Sequence, residues 1–247
     1  MQSANKFLEN SEKKAFDLKH RQTINFNIGK YDYAVKGGLK QYANHELARE
    51  RASFLKTQAI AHLDELLLDF EENFTKRGGK VVWAADAESA LKSVWDIFQR
   101  YGAKSVVKSK SMTTEEIHLN EFLEKKIVET VETDLGEYIV QLAGQKPYHI
   151  VTPAMHMSKQ DVADLFVEKL RISPTDDAQE LTLTARRILR EKYLEAPIGI
   201  TGANFLIADA GAIAITENEG NARMTTTFPK VHIAIVGIEK IIPKLEQ

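Results

Sequence analysis

Three polar segments of the sequence carry side chains that could do chemistry, and the most polar of them runs from residue 216 to 229. It combines carboxylates, asparagines, an arginine and threonines between apolar segments. Neighbouring carboxylates can differ in pKa and serve as acid and base, and arginine can hold a substrate carboxylate through paired hydrogen bonds. We therefore predict catalytic roles for Glu217, Glu219 and Arg223. The ligand-binding residues predicted in this segment are Asn218, Gly220, Asn221 and Thr227. The alternative is a polar loop in which Glu217 pairs with Arg223.

The second segment spans residues 108–116, where a predicted strand ends and a predicted helix begins. Free backbone N–H groups, lysines and hydroxyls at such a junction suit a phosphate or carboxylate. The spacing of Thr113 and Glu116 also predicts a capping box, which would explain both residues without a ligand. The ligand-binding residues predicted here are Lys108, Ser109, Ser111 and Thr113.

The third segment, residues 132–137, also follows a predicted strand. Ligands of open α/β sheets bind outside the carboxyl ends of the strands, which favours a binding role for Thr133 and Asp134. Asp134 followed by Glu137 also fits a simple helix cap. Thr201 and Gly202, from the short segment 199–202, complete the predicted ligand-binding set.

Several kinds of chemistry are disfavoured. The sequence contains no dinucleotide-binding glycine motif, no phosphate-binding loop motif and no nucleophile elbow. It has no cysteine, which excludes disulfides, thiolate nucleophiles and iron–sulfur clusters held by its own thiolates. His149 and His156 flank a proline at a spacing that is not typical of zinc ligands, so we predict no metal site. His232 lies in an apolar strand and is predicted to be a hydrogen-bonded core residue.

The elements that must position these residues alternate between strands and helices after residue 80. Such alternation is typical of crossover connections and a parallel sheet covered by helices. The predicted strands are 81–84, 105–108, 127–133 and 149–152, and the predicted helices are 87–101, 113–126, 136–143, 159–170 and 177–195. Residues 1–79 are predicted to form an N-terminal helical extension, whose last helix ends at Gly78 and Gly79, and residues 80–247 an α/β domain.

The C-terminal part shows another pattern. Residues 205–208 and 212–216 predict two strands around a tight turn, and residues 231–236, apolar at nearly every position, predict a central strand. Because no helix is expected between these strands, we predict that this part of the sheet is antiparallel. The predicted fold class is therefore α/β, with a mixed, mainly parallel sheet and helices on both faces.

The composition and the sequence termini argue against nucleic-acid and membrane partners. The 33 Lys and Arg residues against 35 Asp and Glu leave a net charge of −2, without the basic footprint of a nucleic-acid-binding protein. No apolar run is long enough to span a bilayer, and the N-terminus lacks the pattern of a signal peptide. We expect a cytoplasmic protein without nucleic-acid or membrane partners.

Several longer motifs occur in order and together resemble the lactate utilization protein B family. They include Val107-Lys-Ser-Lys-Ser-Met112, Val131-Glu-Thr-Asp-Leu-Gly-Glu-Tyr138, His149-Ile-Val-Thr-Pro-Ala154, Gly199-Ile-Thr-Gly-Ala-Asn204, Asn218-Glu-Gly-Asn-Ala-Arg223 and Val231-His-Ile-Ala-Ile-Val-Gly-Ile-Glu-Lys240. The resemblance covers most of the chain, from about residue 45 to residue 243.

The resemblance implies a fold similar to the ribose-5-phosphate isomerase, glucosamine-6-phosphate deaminase and CoA-transferase group. It also implies a bacterial role in oxidising L-lactate to pyruvate, with lactate utilization proteins A and C as partners. Proteins of this family continue into a ferredoxin-like segment with cysteine motifs, whereas this chain stops at Gln247. We therefore expect an excised domain or a shortened relative, with no cofactor in this chain and iron–sulfur clusters only in a missing C-terminal region.

Three functional hypotheses stay open at this point. The leading one is a domain of a lactate-oxidising complex that binds a small carboxylate or phosphate at the strand ends. The second is a CoA-transferase-like enzyme in which Glu217 or Glu219 attacks a thioester, or a sugar-phosphate-isomerase-like enzyme that uses the same two carboxylates. The third is a docking domain without chemistry, whose N-terminal helices contact partner proteins or a second copy in a homo-oligomer.

Overall fold

The computed structural model describes residues 2–148, 152–217 and 219–246. The chain forms two compact units, each built from separated stretches of sequence. The first comprises residues 1–43 and 135–186, and the second comprises residues 44–134 and 187–247. The predicted boundary between residues 79 and 80 stays a prediction.

The helices and strands follow one another along the chain. The helices are α1 (Gln2–Ala15), α2 (Leu18–Leu39), α3 (His45–Ala61), α4 (Leu63–Lys76), α5 (Ala87–Tyr101), α6 (Met112–Glu116), α7 (Leu119–Lys125), α8 (Leu135–Leu142), α9 (Lys159–Leu170), α10 (Ala178–Glu195) and α11 (Asn221–Thr227). The strands are β1 (Ser105–Lys108), β2 (Glu129–Glu132), β3 (Ile198–Thr201), β4 (Phe205–Ile207), β5 (Ala212–Ala214), β6 (Val231–Ala234) and β7 (Ile241–Ile242). This confirms the predicted α/β class and the helical N-terminal region.

Four strands of the second unit form a parallel sheet in the order β2-β1-β3-β6. Its register places Lys108 of β1 opposite both Glu132 of β2 and Ile200 of β3. One face of the sheet packs its apolar side chains against α5 and α7, with Phe98 and Leu119 completely or almost completely buried.

The other face of the same sheet is covered by α11. Here a Cβ atom on Gly199 would collide with the backbone carbonyl of Thr225. Glycine is required at this position because the helix backbone approaches the strand so closely. Helices therefore cover both faces of the sheet, as predicted.

A smaller sheet of the second unit has the order β5-β4-β7. Strands β4 and β5 form the predicted antiparallel hairpin around Gly211, whose φ is 52°, while β7 pairs in parallel with β4. Leu206, Ala208 and Ile241 of this region form a core with Phe70 of α4.

Local capping signals explain the best-predicted helix, α5. Asp86 caps its first turn in a capping box with Ser89, and Gly102 ends it in the left-handed conformation with φ 58°. The predicted bounds 87–101 are confirmed. The predicted end of α4 is also confirmed, since the helix stops at Lys76 and Gly78 has a φ of 90°.

Several local predictions are wrong. Residues 81–84 form no strand, and Val82 and Trp83 are largely exposed. The predicted helix 113–126 is divided into α6 and α7, because His118 adopts a left-handed conformation with φ 55°. Part of the predicted strand 149–152 lies outside the described residues.

The C-terminal topology also differs from the prediction. Strand β6 is half-buried at the edge of the sheet and parallel to β3, not central and antiparallel. The chain reaches this parallel position through α11, a helix in the segment that was predicted to contain none. A parallel pair requires a crossover connection, and α11 is part of that connection.

The first unit joins α2 to the segment around α9. Lys19 forms an ion pair of 3.0 Å with Asp161, and the Asn27 side chain donates a 2.7 Å hydrogen bond to the Met155 carbonyl. The Tyr148 hydroxyl and His20 Nε2 are 3.1 Å apart. The N-terminal helices are thus anchored to their own unit by polar contacts.

Candidate functional site at the carboxyl edge of the parallel sheet

Glu132, Lys108 and Ile200 lie side by side in register on three neighbouring strands. Each of them is followed in sequence by a residue with a hydroxyl side chain. These hydroxyl residues are Thr133, Ser109 and Thr201, and all three are at least 97 % buried. The backbone hydrogen bonds of the sheet continue through these residues, since Thr133 N donates to the Lys108 carbonyl and Ser109 N donates to the Ile200 carbonyl, each at 2.9 Å. We call Thr133, Ser109 and Thr201 the hydroxyl row. Because side chains alternate along a strand, the row lies on the face that α11 covers.

On the opposite face, Lys108 and Glu132 form a buried ion pair. Their Nζ and Oε1 atoms are 2.8 Å apart, and the side chains are 0 % and 3 % exposed. Lys108 also donates a 2.9 Å hydrogen bond to the Thr114 hydroxyl, and Asn120 donates one of 2.7 Å to Glu132. The ammonium of Lys108, predicted to hold a ligand, is therefore already engaged by a carboxylate and a hydroxyl.

Glu132, Thr114 and Asn120 were not among the predicted site residues. Glu132 carried a signal that could have identified it, because a carboxylate at the last position of a buried strand requires a partner. Its partner is set by the register of β1 and β2, which the local sequence does not encode.

Ser111 and Gly202 meet at the same edge. Ser111 is the N-cap of α6, and its hydroxyl accepts a hydrogen bond from Thr114 N. A Cβ atom on Gly202 would lie 2.8 Å from the Ser111 hydroxyl oxygen. The predicted capping box of Thr113 and Glu116 is wrong, because Thr113 already lies inside α6 and Glu116 is its last residue.

A cluster of buried hydroxyls joins the hydroxyl row to α11. Thr133 donates to the Lys108 carbonyl and Thr225 to the Asn221 carbonyl, both at 2.9 Å, and the two threonine oxygens are 3.4 Å apart. The Tyr193 hydroxyl of α10 donates at 3.5 Å to the same Asn221 carbonyl. We call Thr133, Thr225 and Tyr193 the hydroxyl cluster. Thr225 and Tyr193 were not predicted to be site residues. In the sequence, Tyr193 is only one apolar position of a predicted helix.

The electrostatics of Tyr193 connect this cluster to the polar segment 216–229. Burial raises the pKa of Tyr193, while hydrogen bonding with Thr133 and Thr225 acts in the opposite direction. The negative charges of Glu219 and Glu217 raise the same pKa further. Both carboxylates therefore act electrostatically on a phenol that donates to the first turn of α11.

The segment 216–229 is organised by a helix cap. One Glu217 oxygen accepts a 2.8 Å hydrogen bond from Arg223 N, and the other lies 3.1 Å from the Arg223 guanidinium. The Glu217 side chain is 17 % exposed and that of Arg223 is 80 % exposed. The pairing stated above as the alternative is thus present, and the predicted catalytic roles stay predictions.

The remaining residues of this segment differ in position. Gly220 precedes α11 with a φ of 77°, Asn221 is its buried first residue, and Thr227 is its exposed last residue. Glu219 is exposed. Asn218 lies outside the described residues.

Thr201 contacts another element of the sheet. Its hydroxyl oxygen and the Nε2 atom of His232 on β6 are 2.8 Å apart. Burial lowers the pKa of His232, which favours the neutral imidazole. His232 is hydrogen bonded, as predicted.

The structure thus brings together only part of the predicted site. Contacts at one edge connect the predicted residues Lys108, Ser109, Ser111, Thr133, Thr201 and Gly202, and Asn221 joins them through Thr225. Thr113 and Asp134 are half-buried near the two strand ends. In the described part of the chain, no hydrogen bond or ion pair links Glu217 or Arg223 to the hydroxyl row.

The donor set of the chain does not fit an iron–sulfur cluster, because the sequence has no cysteine. Within the described residues, no group of three or more His, Cys, Asp and Glu side chains could hold a metal ion. Among those residues there is also no helix whose length and apolar character would let it cross a membrane.

Comparison with known protein families supports the resemblance that the sequence motifs indicated. The model of the LUD domain family matches residues 67–247. The chain belongs to the LUD domain family. The chain is similar to lactate utilization protein B of Bacillus subtilis, to which it is 46 % identical over 84 % of this chain and 44 % of the relative. The proteins of the same name from Bacillus licheniformis and Bacillus velezensis are 44 % and 43 % identical over the same shares.

The LUD-family chain therefore spans less than half the length of these curated relatives. The resemblance to the lactate utilization protein B family is confirmed. No solved structure matches the chain significantly, and the implied likeness to the CoA-transferase fold stays a prediction.

Proposed function

We propose that this LUD domain acts in lactate utilization and that the carboxyl edge of its parallel sheet binds a small anion, lactate or pyruvate. The observation that carries the proposal is the alignment of Thr133, Ser109 and Thr201 across three neighbouring strands. Open α/β sheets bind ligands at this edge. The Thr133 hydroxyl donates to the Lys108 carbonyl and the Thr201 hydroxyl contacts His232. In this proposal Ser109 is therefore the member of the row that donates to a ligand carboxylate, while Thr133 and Thr201 hold the strand ends in place.

The charge for holding the anion comes from a different lysine than the one predicted. Lys108 is neutralised by Glu132, so an added anion there would leave the buried group with net negative charge. Lys110 follows two positions later at the same strand end and is half-buried. We assign to Lys110 the role of attracting the ligand carboxylate, with Ser109 and Ser111 beside it in sequence.

The proposal concerns binding and orientation. Oxidising lactate to pyruvate requires an electron acceptor, and this chain has no thiolates with which to hold an iron–sulfur cluster. We propose that the acceptor belongs to a larger cytoplasmic assembly with lactate utilization proteins A and C. In this proposal the chain holds the anion and excludes water from the buried edge.

Thermal unfolding of the 247-residue chain with L-lactate, pyruvate or phosphate tests the binding proposal. A ligand that binds the folded state raises the melting temperature in step with its concentration. We expect this rise with lactate or pyruvate, a smaller rise in Lys110→Ala, and an unchanged rise in Lys104→Ala. Lys104 is the matched control, because it directly precedes the first residue of the same strand and is exposed. No rise with any of these anions at high millimolar concentration would refute the proposal.

Docking is a second candidate function, favoured by exposed aromatic side chains on the N-terminal helices. Phe7, Phe26 and Tyr33 are 70 %, 62 % and 82 % exposed, and large exposed apolar surfaces often mark interaction sites. We expect Phe26→Ser with Tyr33→Ser to weaken self-association or binding to lactate utilization proteins A and C, measured by analytical ultracentrifugation. Unchanged assembly together with normal folding would count against docking through this surface.

Acyl transfer through Glu217 or Glu219 stays a proposal with less support. Arg223 contacts both carboxylate oxygens of Glu217, which reduces their availability as a nucleophile. Incubation with acyl-CoA followed by hydroxylamine should label Glu217 or Glu219 if the proposal is right. Mass spectrometry that finds neither residue modified would eliminate it.

A further inference from the structure

In the hydroxyl cluster of Thr133, Thr225 and Tyr193, both threonines donate their hydroxyl protons to backbone carbonyls. Thr133 gives its proton to the Lys108 carbonyl, and Thr225 gives its proton to the Asn221 carbonyl. The two threonine oxygens are nevertheless only 3.4 Å apart. With both protons donated elsewhere, these oxygens face each other as acceptors, since a hydroxyl supplies only one proton.

The Tyr193 hydroxyl donates at 3.5 Å to the Asn221 carbonyl, the acceptor that it shares with Thr225. Thr225 in turn lies 3.4 Å from Thr133, oxygen to oxygen, and the hydroxyls of both threonines are close enough to act on the pKa of Tyr193. The Tyr193 proton therefore supports the carbonyl that holds Thr225 at the junction of β2 and α11. The residues Thr133, Thr225 and Tyr193 are 3 %, 0 % and 3 % exposed, so water does not readily replace a lost hydrogen bond.

We propose that Tyr193 is a positioning residue of the anion site, whose hydroxyl fixes the end of β2 to the first turn of α11. This inference rests on the proposed function. Tyr193 acts on α11 through the Asn221 carbonyl, which also accepts from Thr225. Through Thr225 it acts on Thr133, which holds the Lys108 carbonyl and so the start of the segment 109–111. A direct role on the ligand is not required, because the cluster is buried beneath α11.

The aromatic ring of Tyr193 has a separate, packing role. Its centroid lies 6.4 Å from that of Phe228, at the end of α11. Tyr193→Phe keeps this ring and removes only the hydroxyl. The substitution therefore separates positioning from packing, which Tyr193→Ala would not do.

The test measures the lactate dissociation constant and the melting temperature of the full 247-residue chain in parallel. For Tyr193→Phe we expect roughly fivefold weaker lactate binding, the effect of one lost hydrogen bond, with a melting temperature lower by no more than about 2–4 °C. Tyr138→Phe is the matched control, because Tyr138 is also a buried helical tyrosine, 6 % exposed. It should bind lactate as tightly as the wild type.

A double-mutant cycle shows whether Tyr193 acts through Thr133. Residues that act as one unit give non-additive effects, so Tyr193→Phe combined with Thr133→Val should weaken binding little more than the stronger single substitution. Thr225→Ser, which keeps the hydroxyl, should bind like the wild type, and Thr225→Val should resemble Tyr193→Phe. These threonine variants also test the proposal if Tyr193→Phe fails to fold.

The outcomes separate the two proposals. If the wild type binds lactate and Tyr193→Phe and Thr225→Val bind it equally well, the positioning role is wrong and the proposed function stands. A lower melting temperature with an unchanged dissociation constant would likewise show a merely structural hydroxyl. If the wild type binds neither lactate nor pyruvate, the proposed function fails and the positioning role fails with it.

Discussion

The ammonium of Lys108 lies 2.8 Å from Oε1 of Glu132, and both side chains are almost fully buried at the ends of neighbouring parallel strands. Transferring both charges out of water is costly, so such a pair is not by itself a strong source of stability. Its position at the edge where sheets of this class bind ligands is consistent with a role in shaping the site.

Breaking this pair should destabilise the fold much more than replacing it. We expect Lys108→Met to lower the free energy of unfolding by about 3–5 kcal/mol, because Glu132 is left buried without its cation. The double replacement Lys108→Met with Glu132→Leu should recover much of that loss. Urea denaturation measures both values.

The ion pair of Lys192 and Glu129 is the matched control. It also involves β2 and has a distance of 2.7 Å, but its side chains are 31 % and 54 % exposed. Lys192→Met should change the stability by less than about 1 kcal/mol. Equal losses in Lys108→Met and Lys192→Met would contradict the importance of burial.

Gly199→Ala should destabilise the second unit by separating α11 from β3. The added methyl group would overlap the Thr225 carbonyl, and overpacking of this kind costs about 1–3 kcal/mol. Gly37→Ala is the control, since its Cβ position in helix α2 has no described neighbour within 4 Å apart from the adjoining backbone of that helix, and alanine is the better helix former. Denaturation midpoints that fall equally for both variants would show that the close approach is not the cause.

The stability of the fold should decrease as the pH falls below about 6.5, in part because of His232. Burial lowers the pKa of His232 in the folded chain below the ordinary value of 6.5. The unfolded chain therefore binds the proton first, so stability is complete above pH 6.5 and is lost as the pH falls towards the folded-state pKa. His232→Gln should lose less stability than the wild type between pH 7.5 and pH 5.

His156 contributes with the same sign, because burial and the charges of His20 and Lys14 lower its pKa. Part of the pH dependence should therefore persist in His232→Gln. His62→Gln, at a position whose side chain is 58 % exposed, is the control. Urea midpoints with the same pH slope in wild type and His232→Gln would disprove the contribution of His232.

Glu217 should matter more for stability than Arg223. Glu217→Ala removes the acceptor for the backbone N–H of Arg223, and losing a helix cap costs about 1 kcal/mol. Arg223→Ala keeps that cap and removes only an exposed partner, so its effect on stability should be small. Thermal unfolding distinguishes these variants, and a larger loss for Arg223→Ala would refute the capping role. If Arg223 also binds the ligand, as predicted from the sequence, Arg223→Ala should lower the lactate-induced rise in melting temperature.

Local signals account for the elements that sequence reasoning predicted well. Asp86 and Gly102 mark the two ends of α5, and residues 105–108 form β1 with the predicted bounds. Short helices and strands were harder to predict from the sequence. Strand β3 was missed because its four residues lie between Pro197 and Gly202, and α11 was missed because its threonine-rich sequence has low helix propensity.

The amino-acid sequence by itself determined the α/β class, the family and the polar residues at the strand ends, because these depend on periodicity, capping and contiguous motifs. Only the tertiary structure decided that Lys108 is neutralised by Glu132 and that Tyr193 and Thr225 donate to the same Asn221 carbonyl. Those contacts join residues distant in sequence, and they depend on strand register and on the path of α11 across the sheet. A helix or strand pattern specifies which side chains share a face, but not which face of another element they meet.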